Sequence, residues 1–250
     1  MLATRIIPCL DIADARVVKG VRFQMLQSLG DPIERAQFYE EQGADEIMLL
    51  DVNASYKNRD LMFELISRVA KRIFIPLCVG GGIRDIEDMR MALMSGADKV
   101  AICTGAIMNP GLITEGAKRF GSQCIVLSID AKRYKDTWHC YTYGGRRDTG
   151  LDVLEWARLS EELGAGEILL NSIDRDGTGE GYDLELTKMV SEEVSIPIIA
   201  SGGAGNLEHL YDAIIRGRAD AVLLASLVHY DEYQIGEIKD YLRTRGIRVR

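Results

Sequence analysis

Two stretches of this chain are versions of one sequence. Residues 73–104 read IFIPLCVGGGIRDIEDMRMALMSGADKVAICT, and residues 194–226 read VSIPIIASGGAGNLEHLYDAIIRGRADAVLLAS. Their Ile-Pro and Gly-Gly pairs align at a constant offset of 121 residues, and one inserted residue then aligns Thr104 with Ser226. Self-similarity on this scale is typical of a duplicated structural unit. We therefore predict two fused halves, at about residues 1–120 and 121–250.

Two shorter segments extend the repeat. EEQGADEIMLLD at residues 40–51 matches EELGAGEILLN at residues 161–171 at the same offset, and IIPCLD at residues 6–11 resembles IVLSID at residues 125–130. In a closed barrel built from two such halves, equivalent positions face each other across the barrel axis. Duplicated residues at strand ends are therefore expected to meet at one opening.

Short apolar runs alternate with amphipathic segments along the whole chain. Such runs are typical of strands buried on both faces of a parallel sheet, and the segments between them have helical periodicity. The predicted strands are Arg5–Leu10, Glu46–Asp51, Ile75–Val79, Lys99–Cys103, Cys124–Asp130, Glu167–Asn171, Ile196–Ala200 and Ala221–Ala225. The predicted helices include Pro32–Glu41, Arg59–Lys71, Ile86–Met94 and Leu151–Leu163. Eight βα units predict an α/β fold, a (β/α)₈ TIM barrel forming a single domain over residues 1–250. A doubly wound open sheet is the alternative, and the duplication favours closure.

The composition excludes several classes of function. With 38 acidic and 30 basic residues the net charge is −8, which argues against broad electrostatic binding to nucleic acid or membranes. The five cysteines include no CxxC pair, so neither a disulfide framework nor a structural zinc site is expected. The N-terminus does not resemble a signal peptide, and no apolar stretch is long enough for a membrane helix. We expect a cytoplasmic protein.

Glycine pairs at two equivalent strand ends indicate phosphate binding. Gly81-Gly82 and Gly202-Gly203 each follow a predicted strand and precede a helix, an arrangement in which backbone N–H groups can approach an anion. Thr104 and Ser226 end the next strand in each half and can donate hydroxyl hydrogen bonds, and a third turn contains Gly177. Two anion sites at one opening would suit a substrate with two separated phosphates. The alternative is that turns between strands and helices need glycine for structural reasons alone.

Two aspartates end equivalent strands. Asp11 and Asp130 each terminate an apolar run, where a carboxylate is costly unless it meets solvent, a partner or a ligand. Opposed carboxylates suit general acid–base chemistry on two parts of one substrate. Helix capping or pairing with Lys19 or Lys132 is the alternative. Lys19 is expected in a loop that could close over a phosphate.

Asp51 and Asp176 also lie at strand ends, where capping or orientation is as good an interpretation as chemistry.

Four charged residues start strands at the other end of the predicted barrel. They are Arg5, Glu46, Lys99 and Glu167. Two cations and two anions can neutralise each other there as a stabilising plug, because buried charges need partners. The same ring could act as a gate for a small neutral molecule, and the residues alone do not separate the two interpretations.

Over nearly its whole length the chain resembles the cyclase subunits of imidazole glycerol phosphate synthase, a family of histidine biosynthesis. The segments that carry the resemblance are MLATRIIPCLDI, RVVKG, GDPIE, GADEIMLLD, PLCVGGGIR, GADKV, IDAKR, GAGEILLNSIDRDGTGEGYD and PIIASGGAGNLEH. The resemblance implies that ammonia from a partner glutaminase, bound at the N-terminal face, crosses the barrel. There it would convert phosphoribulosyl-formimino-aminoimidazole carboxamide ribotide into imidazole glycerol phosphate and aminoimidazole carboxamide ribotide. We expect no metal and no cofactor, because the linkage to be cleaved is imine-like.

The resemblance also assigns roles to residues. Those matching Asp11 and Asp130 are the acid–base pair, the lysine matching Lys19 lies on a mobile loop, and Asp98 matches a contact with the glutaminase. The four strand-start charges match the ammonia gate. The residues implied in substrate and phosphate binding are Lys19, Gly81, Gly82, Thr104, Asp176, Gly177, Gly202, Gly203, Ala225 and Ser226.

Several positions depart from the family pattern. Cys103 stands where asparagine is usual and Asn53 where threonine is usual, Ala15 and Gly105 replace a glycine and an alanine, and Arg218 is an insertion. Cysteine is a weak hydrogen-bond donor, so one phosphate contact is in doubt. These changes would fit a paralogue that transfers ammonia to another acceptor, such as a sugar nucleotide. The sister ribotide isomerase and a non-catalytic scaffold that activates a glutaminase are two further alternatives.

Overall fold

The computed structural model describes residues 3–13, 16–21, 24–52, 59–230 and 232–250. Ala15 and Asn53, two of the positions that depart from the family pattern, lie outside the described residues, as does the side chain of Lys19. Within the described part of the chain, no helix combines the length and the hydrophobicity that crossing a bilayer requires.

Within the described ranges, twelve strands and ten α-helices follow one another along the chain. The strands are β1 (Arg5–Ala13), β2 (Arg16–Val21), β3 (Gln24–Gly30), β4 (Ile47–Asp51), β5 (Leu77–Gly80), β6 (Lys99–Ile102), β7 (Ile125–Tyr134), β8 (Thr137–Thr142), β9 (Arg147–Asp152), β10 (Glu167–Ser172), β11 (Ile198–Ser201) and β12 (Ala221–Leu224). The helices are α1 (Pro32–Glu41), α2 (Arg59–Ala70), α3 (Ile86–Met94), α4 (Thr104–Met108), α5 (Gly111–Phe120), α6 (Val153–Leu163), α7 (Leu184–Glu193), α8 (Leu207–Ile215), α9 (Ser226–His229) and α10 (Ile235–Thr244).

Eight of the strands close into a parallel barrel. β1, β4, β5, β6 and β7 pair in that order, β7 pairs with β10, and β10, β11 and β12 lead back to β1. Every pairing around this circuit is parallel, with helices between consecutive strands. The predicted TIM barrel is therefore confirmed, and the open-sheet alternative is wrong.

Alternation along the strands separates two cores. One set of side chains faces the helices, and the other fills the barrel interior. The buried interior residues are Ile7, Cys9, Met48, Cys78, Ala101, Val126, Leu169, Ile199, Ala221 and Leu223. A barrel packed this way has a layered, largely apolar interior with polar layers at its two ends.

Matched residues cap matched helices in the two halves. Asp31 accepts a hydrogen bond from Ile33 N at 2.7 Å at the start of α1, and Asp152 accepts one from Leu154 N at 2.8 Å at the start of α6. Asp85 and Asn206 cap α3 and α8 in the same way. These side chains satisfy N–H groups that have no partner within the helix, which fixes where each helix begins.

Two hairpins interrupt the βα alternation, and neither was predicted. β2 and β3 follow β1, and β8 and β9 follow β7, in both cases as antiparallel extensions of the first strand of each half. Lys19 lies in β2, paired with Gln27, so the prediction of a loop there is wrong. The Arg-Val-Val run forms a strand because β1 extends beyond Leu10 and offers it a free edge.

Candidate active site

The carboxyl ends of the eight strands bring the predicted aspartates to one rim. Asp11 is in register with Leu50 on β4, and Asp130 is in register with Asn171 on β10. Since interior residues alternate along each strand, both aspartates continue the inward-facing rows that begin with Arg5 and Val126. We call this opening the mouth, and it is lined at the strand ends by Asp11, Leu50, Gly80, Cys103, Asp130, Asn171, Ser201 and Ala225.

Asp130 lies in a polar, partly enclosed environment. Its Oδ1 accepts a hydrogen bond from Asn171 Nδ2 at 3.1 Å, and Ser201 Oγ in turn donates to Asn171 Oδ1 at 3.2 Å. Burial raises the pKa of Asp130 to about 6, with a smaller contribution from the charge of Asp176, against the opposing hydrogen bonds from Asn171 and Cys103. A carboxyl group with a pKa near neutrality can both accept and return a proton.

Cys103 is the second neighbour of Asp130. Its Sγ lies 3.9 Å from Oδ2 of Asp130 and 3.8 Å from the carbonyl oxygen of Tyr141. Burial, reinforced by the charge of Asp130, raises the pKa of the Cys103 thiol well above its ordinary value. The thiol therefore stays protonated and offers Asp130 a weak S–H donor where the family pattern would place a stronger amide donor.

Asp11 occupies the equivalent position with different neighbours. It is 8% exposed, and its Oδ1 lies 3.6 Å from Sγ of Cys9, two residues earlier on the same strand. Its register neighbour is the apolar Leu50, where Asp130 has the amide of Asn171. The duplication thus preserves the position of the carboxylate, while the residue facing it on the neighbouring strand differs, Leu50 in one half and Asn171 in the other.

The two glycine turns have nearly the same backbone geometry. Gly81 has φ +87° and Gly202 has φ +90°, both in the left-handed region that favours glycine. A Cβ on Gly81 would lie 2.2 Å from the carbonyl oxygen of Asp51, and one on Gly202 would lie 2.8 Å from that of Ser172. Each turn therefore packs directly against the end of a neighbouring strand, β4 for Gly81 and β10 for Gly202, and leaves no room for a side chain.

Thr104 and Ser226 each begin a short helix at the mouth. The residues before them, Cys103 and Ala225, have similar dihedral angles, with φ −118° and ψ −89° against φ −132° and ψ −83°. Within the described residues, neither helix start has a side-chain cap. The hydroxyl oxygen of Thr104 accepts from Tyr143 N at 3.0 Å, which leaves its O–H group able to donate. Each half therefore presents a glycine turn beside a hydroxyl, the arrangement that the sequence predicted for anion binding.

The turn after β10 adds Asp176 and Gly177 to the mouth. Asp176 N donates to Ser172 O at 2.9 Å, and Gly177 has φ +72°. The negative charge of Asp176 contributes to the raised pKa of Asp130, so the two carboxyl groups interact electrostatically.

The opposite end of the barrel holds the four predicted charges in contact. Arg5 Nη1 lies 2.8 Å from Glu46 Oε2, and its Nη2 pairs with Glu167. Lys99 Nζ lies 2.8 Å from Glu46 and 2.9 Å from Glu167. Each cation thus joins both anions, and we call this arrangement the charged ring.

The ring favours the charged forms of its two cations. Burial lowers the pKa of Arg5 and of Lys99, but the attraction of Glu167 and Glu46 outweighs it, so both pKa values lie above their ordinary values. In the described part of the chain, Oε1 of Glu46 is buried without a hydrogen-bond partner, although Oε2 binds both cations.

Asp98, at the same end of the barrel as the charged ring, caps the start of a neighbouring strand. Its Oδ2 accepts a hydrogen bond from Leu77 N at 2.8 Å, and Asp220 accepts one from Ile198 N at 3.0 Å in the other half. Asp45 binds Ile6 N in the same manner at 2.8 Å. Strand-start capping therefore accounts for Asp98 within this chain, and its contact with a glutaminase stays a prediction.

Two contributors to the mouth were missed in the sequence. The sequence pattern places Asn171 only at the end of a predicted strand, although its amide is the direct partner of Asp130. Comparing it with Leu50 in the aligned repeat would have marked it, because a polar residue replaces an apolar one at a duplicated rim position. Tyr141 was missed because the hairpin that carries it was not predicted. Among the described residues, there is no cluster of three or more His, Cys, Asp or Glu side chains able to hold a metal ion.

One comparison with known proteins bears on this site. A family model described as "Histidine biosynthesis protein" matches residues 5–234. The match covers all eight barrel strands, both hairpins, both glycine turns and the charged ring.

Proposed function

The chain belongs to the histidine biosynthesis protein family, whose members are TIM-barrel enzymes, and from this premise we propose that it is the ammonia-dependent cyclase of the pathway. The substrate would be phosphoribulosyl-formimino-aminoimidazole carboxamide ribotide. The products would be imidazole glycerol phosphate and aminoimidazole carboxamide ribotide.

The observation that carries the proposal is the charged ring. Four charged side chains lie at the end of the barrel opposite the mouth, and each cation pairs with both glutamates. The distances are 2.8 Å for Arg5–Glu46, 2.8 Å for Lys99–Glu46 and 2.9 Å for Lys99–Glu167. The sister isomerase, which needs no second reactant, has no use for an opening at that end. A cyclase needs one, because ammonia has to reach the substrate without escaping into solvent.

The ring and the interior suit ammonia in its neutral form. Ammonium would meet Arg5 and Lys99, two cations already held by the glutamates, whereas ammonia carries no charge. The unpaired Oε1 of Glu46 is an acceptor that can bind an N–H of the passing molecule. Beyond it, the barrel interior is filled mainly by apolar side chains, which favour neutral ammonia over an ammonium ion.

At the mouth, the two glycine turns would hold the two phosphates of the ribotide. Anchored at both ends, the substrate would lie across the opening with its central linkage near Asp11 and Asp130. Ammonia adds to the ribulosyl carbonyl carbon, and the carbonyl oxygen leaves as water after two proton transfers. We assign these transfers to Asp130, whose pKa near 6 suits both directions of transfer. We assign cleavage of the linkage and ring closure to Asp11.

A glutaminase docked over the charged ring would supply the ammonia. Asp98 lies at that end, at the start of β6, and its carboxylate is already engaged by Leu77 N. We propose that this surface is the glutaminase-binding face, with Asp98 contributing through its second carboxylate oxygen.

Cys103 favours one second candidate function. The thiol replaces a stronger donor beside Asp130, so the chain could have diverged toward another ammonia acceptor, such as a sugar nucleotide. The mouth would then keep its aspartates and its ring but bind the ribotide weakly.

The test is an assay of the purified chain at mildly alkaline pH with an ammonium salt and the ribulosyl substrate. We expect imidazole glycerol phosphate to form with ammonium and not without it. A parallel incubation with the ribosyl isomer, in the absence of ammonium, would reveal isomerase activity. Turnover of the isomer alone would contradict the proposal, and turnover of neither would favour a different acceptor.

A further inference from the structure

The inner wall of the barrel continues beyond the mouth into the second hairpin. β7 runs on to Tyr134 and pairs with β8 so that Asp130 lies opposite Tyr141 and Lys132 lies opposite His139. Directly opposed residues of antiparallel strands project to the same face. Because Asp130 faces inward, His139 and Tyr141 lie on the inner face as well. We call the surface formed by Lys132, Tyr134, His139 and Tyr141 the upper wall.

The residues between them confirm which face is which. Ala131, Trp138 and Cys140 are buried in the core between barrel and helices. Arg133, opposite Trp138, stacks on its ring on this outer face, with 4.2 Å between the guanidinium and the ring centroid. The upper wall is therefore the other face of the hairpin, and it is the one that continues the mouth.

His139 is held in one orientation on the upper wall. Its Nδ1 lies 3.1 Å from Oδ1 and 3.2 Å from Oδ2 of Asp148 on β9. Its ring stacks on Tyr134, with 4.2 Å between the ring centroids and 23° between the planes. Gly150 N donates to Asp148 Oδ1 at 2.8 Å, and this bond, helped by His139, lowers the pKa of Asp148. Asp148 is thus an ionised and fixed acceptor.

This arrangement leaves the second ring nitrogen for a ligand. An ionised carboxylate can only accept hydrogen bonds, so Nδ1 of His139 carries the proton. Among the described residues, Nδ1 is the ring nitrogen that has a hydrogen-bond partner. In the neutral imidazole, Nε2 then has a free lone pair, and it can accept a hydrogen bond.

We call each glycine turn with its neighbouring hydroxyl, Gly81-Gly82 with Thr104 and Gly202-Gly203 with Ser226, an anion cradle, and the upper wall lies beside the first of them. The turn between β8 and β9 contacts the start of α4, where Tyr143 N donates to the Thr104 hydroxyl oxygen at 3.0 Å. His139 is two residues along the ladder from Tyr141, which places it about 7 Å beyond the level of Asp130. A substrate anchored at Thr104 and reaching Asp130 passes in front of this wall.

We propose that His139 is a substrate-binding residue, whose Nε2 accepts a hydrogen bond from a sugar hydroxyl of the bound ribotide. Asp148 sets the tautomer and Tyr134 sets the ring plane. The inference rests on the proposed function, since it identifies the ligand as the substrate of the mouth. Nothing in the acid–base chemistry assigned to Asp11 and Asp130 requires this histidine.

The test uses three substitutions at one position in the full chain, assayed with ammonium and the ribulosyl substrate. H139A removes both ring nitrogens, H139N retains a polar group near Nδ1, and H139Q retains one near Nε2. We expect H139A and H139N to raise KM about three- to tenfold with kcat changed less than twofold, and H139Q to restore KM to within about twofold. D136N, in the exposed distal turn of the same hairpin, is the matched control and should leave KM unchanged.

The outcomes separate the possibilities. Rescue by glutamine alone supports the proposal, because a purely structural bond to Asp148 would be rescued by asparagine. An unchanged KM in H139A, or equal rescue by asparagine and glutamine, would overturn it. If the unsubstituted chain shows no turnover, the proposed function itself fails, and the inference fails with it. Thermal unfolding of each variant shows whether a change in KM comes from loss of the hairpin.

Discussion

Asp11 and Asp130 occupy equivalent positions in the two halves, yet their neighbours differ. Asp130 faces the amide of Asn171 and the thiol of Cys103, whereas Asp11 is in register with Leu50 and contacts the thiol of Cys9. The backbone that places them is the same, because both are flanked by parallel strands and followed by an antiparallel hairpin. The duplication therefore sets where the carboxylates lie, while the residue that faces each of them on the neighbouring strand differs between the two halves.

The largest expected effect comes from removing either carboxylate. D130N and D11N should each lower kcat about 10²- to 10⁴-fold, since each removes one proton-transfer group while nearly preserving shape. Steady-state kinetics with ammonium measures this, with D212N on the outer surface of α8 as a control. Loss in only one of the two variants would break the functional equivalence of the halves.

The glycine turns should differ in their tolerance of a side chain. G81A should destabilise the fold more than G202A. The new Cβ would lie 2.2 Å from a backbone oxygen in G81A and 2.8 Å from one in G202A. Both also force alanine into the left-handed region, so we expect about 2–4 kcal/mol for G81A and about 1–3 kcal/mol for G202A. Denaturant unfolding gives both free energies, and a larger loss in G202A would contradict the account.

The raised pKa of Asp130 predicts a specific dependence on pH. The folded chain keeps this carboxyl protonated up to about pH 6, whereas the unfolded chain loses the proton near its ordinary pKa of 3.8. The folded state thus binds more protons between these values, and stability falls as pH rises through this window by about 1–3 kcal/mol. The free energy of unfolding of D130N should lack this fall. Identical pH profiles for the two proteins would argue against the raised pKa.

The titration of Asp130 should also affect the pH dependence of catalysis. If Asp130 must be ionised to accept a proton, kcat/KM should fall below about pH 6, with a limb that D130N lacks. C103N replaces the thiol with a stronger donor to the carboxylate and should move this limb to lower pH. A limb unmoved by C103N would mean that the thiol does not influence the titration of Asp130.

The smallest expected effect is at the duplicated helix caps. D31A should destabilise the chain by about 1 kcal/mol through loss of the α1 cap. D152A should cost somewhat more, because Asp152 also binds the hydroxyl of Thr137 as well as capping α6. Thermal or denaturant unfolding of both variants tests this order, and an equal loss would show that the contact with Thr137 contributes nothing.

The repeat and the apolar runs were enough to predict the closed barrel and the rim position of both aspartates. Two helices, Pro32–Glu41 and Ile86–Met94, have the predicted bounds. β5 and β11 begin two residues later than predicted, after Pro76 and Pro197, because proline has no N–H group for the sheet. The carbonyl oxygens of both prolines still accept from neighbouring strands.

The two hairpins and the hydrogen-bond partners of Asp130 could not be predicted from the repeat or from the apolar runs. A strand such as β8 alternates polar and apolar residues over only six positions, and its stability comes from pairing with the extension of β7. The contacts of Asn171 and Cys103 with Asp130 join three strands that are distant in sequence. Such contacts depend on the closure and register of the barrel, which composition and periodicity do not specify.

The central claim is that two carboxylates and two anion cradles serve one substrate at one mouth. A crystal structure of D130N with the ribulosyl substrate bound tests it most directly. We predict one phosphate at Gly81, Gly82 and Thr104, the other at Gly202, Gly203 and Ser226, and the central linkage between Asp11 and residue 130. Both phosphates in one half, or a linkage remote from either residue, would contradict the claim.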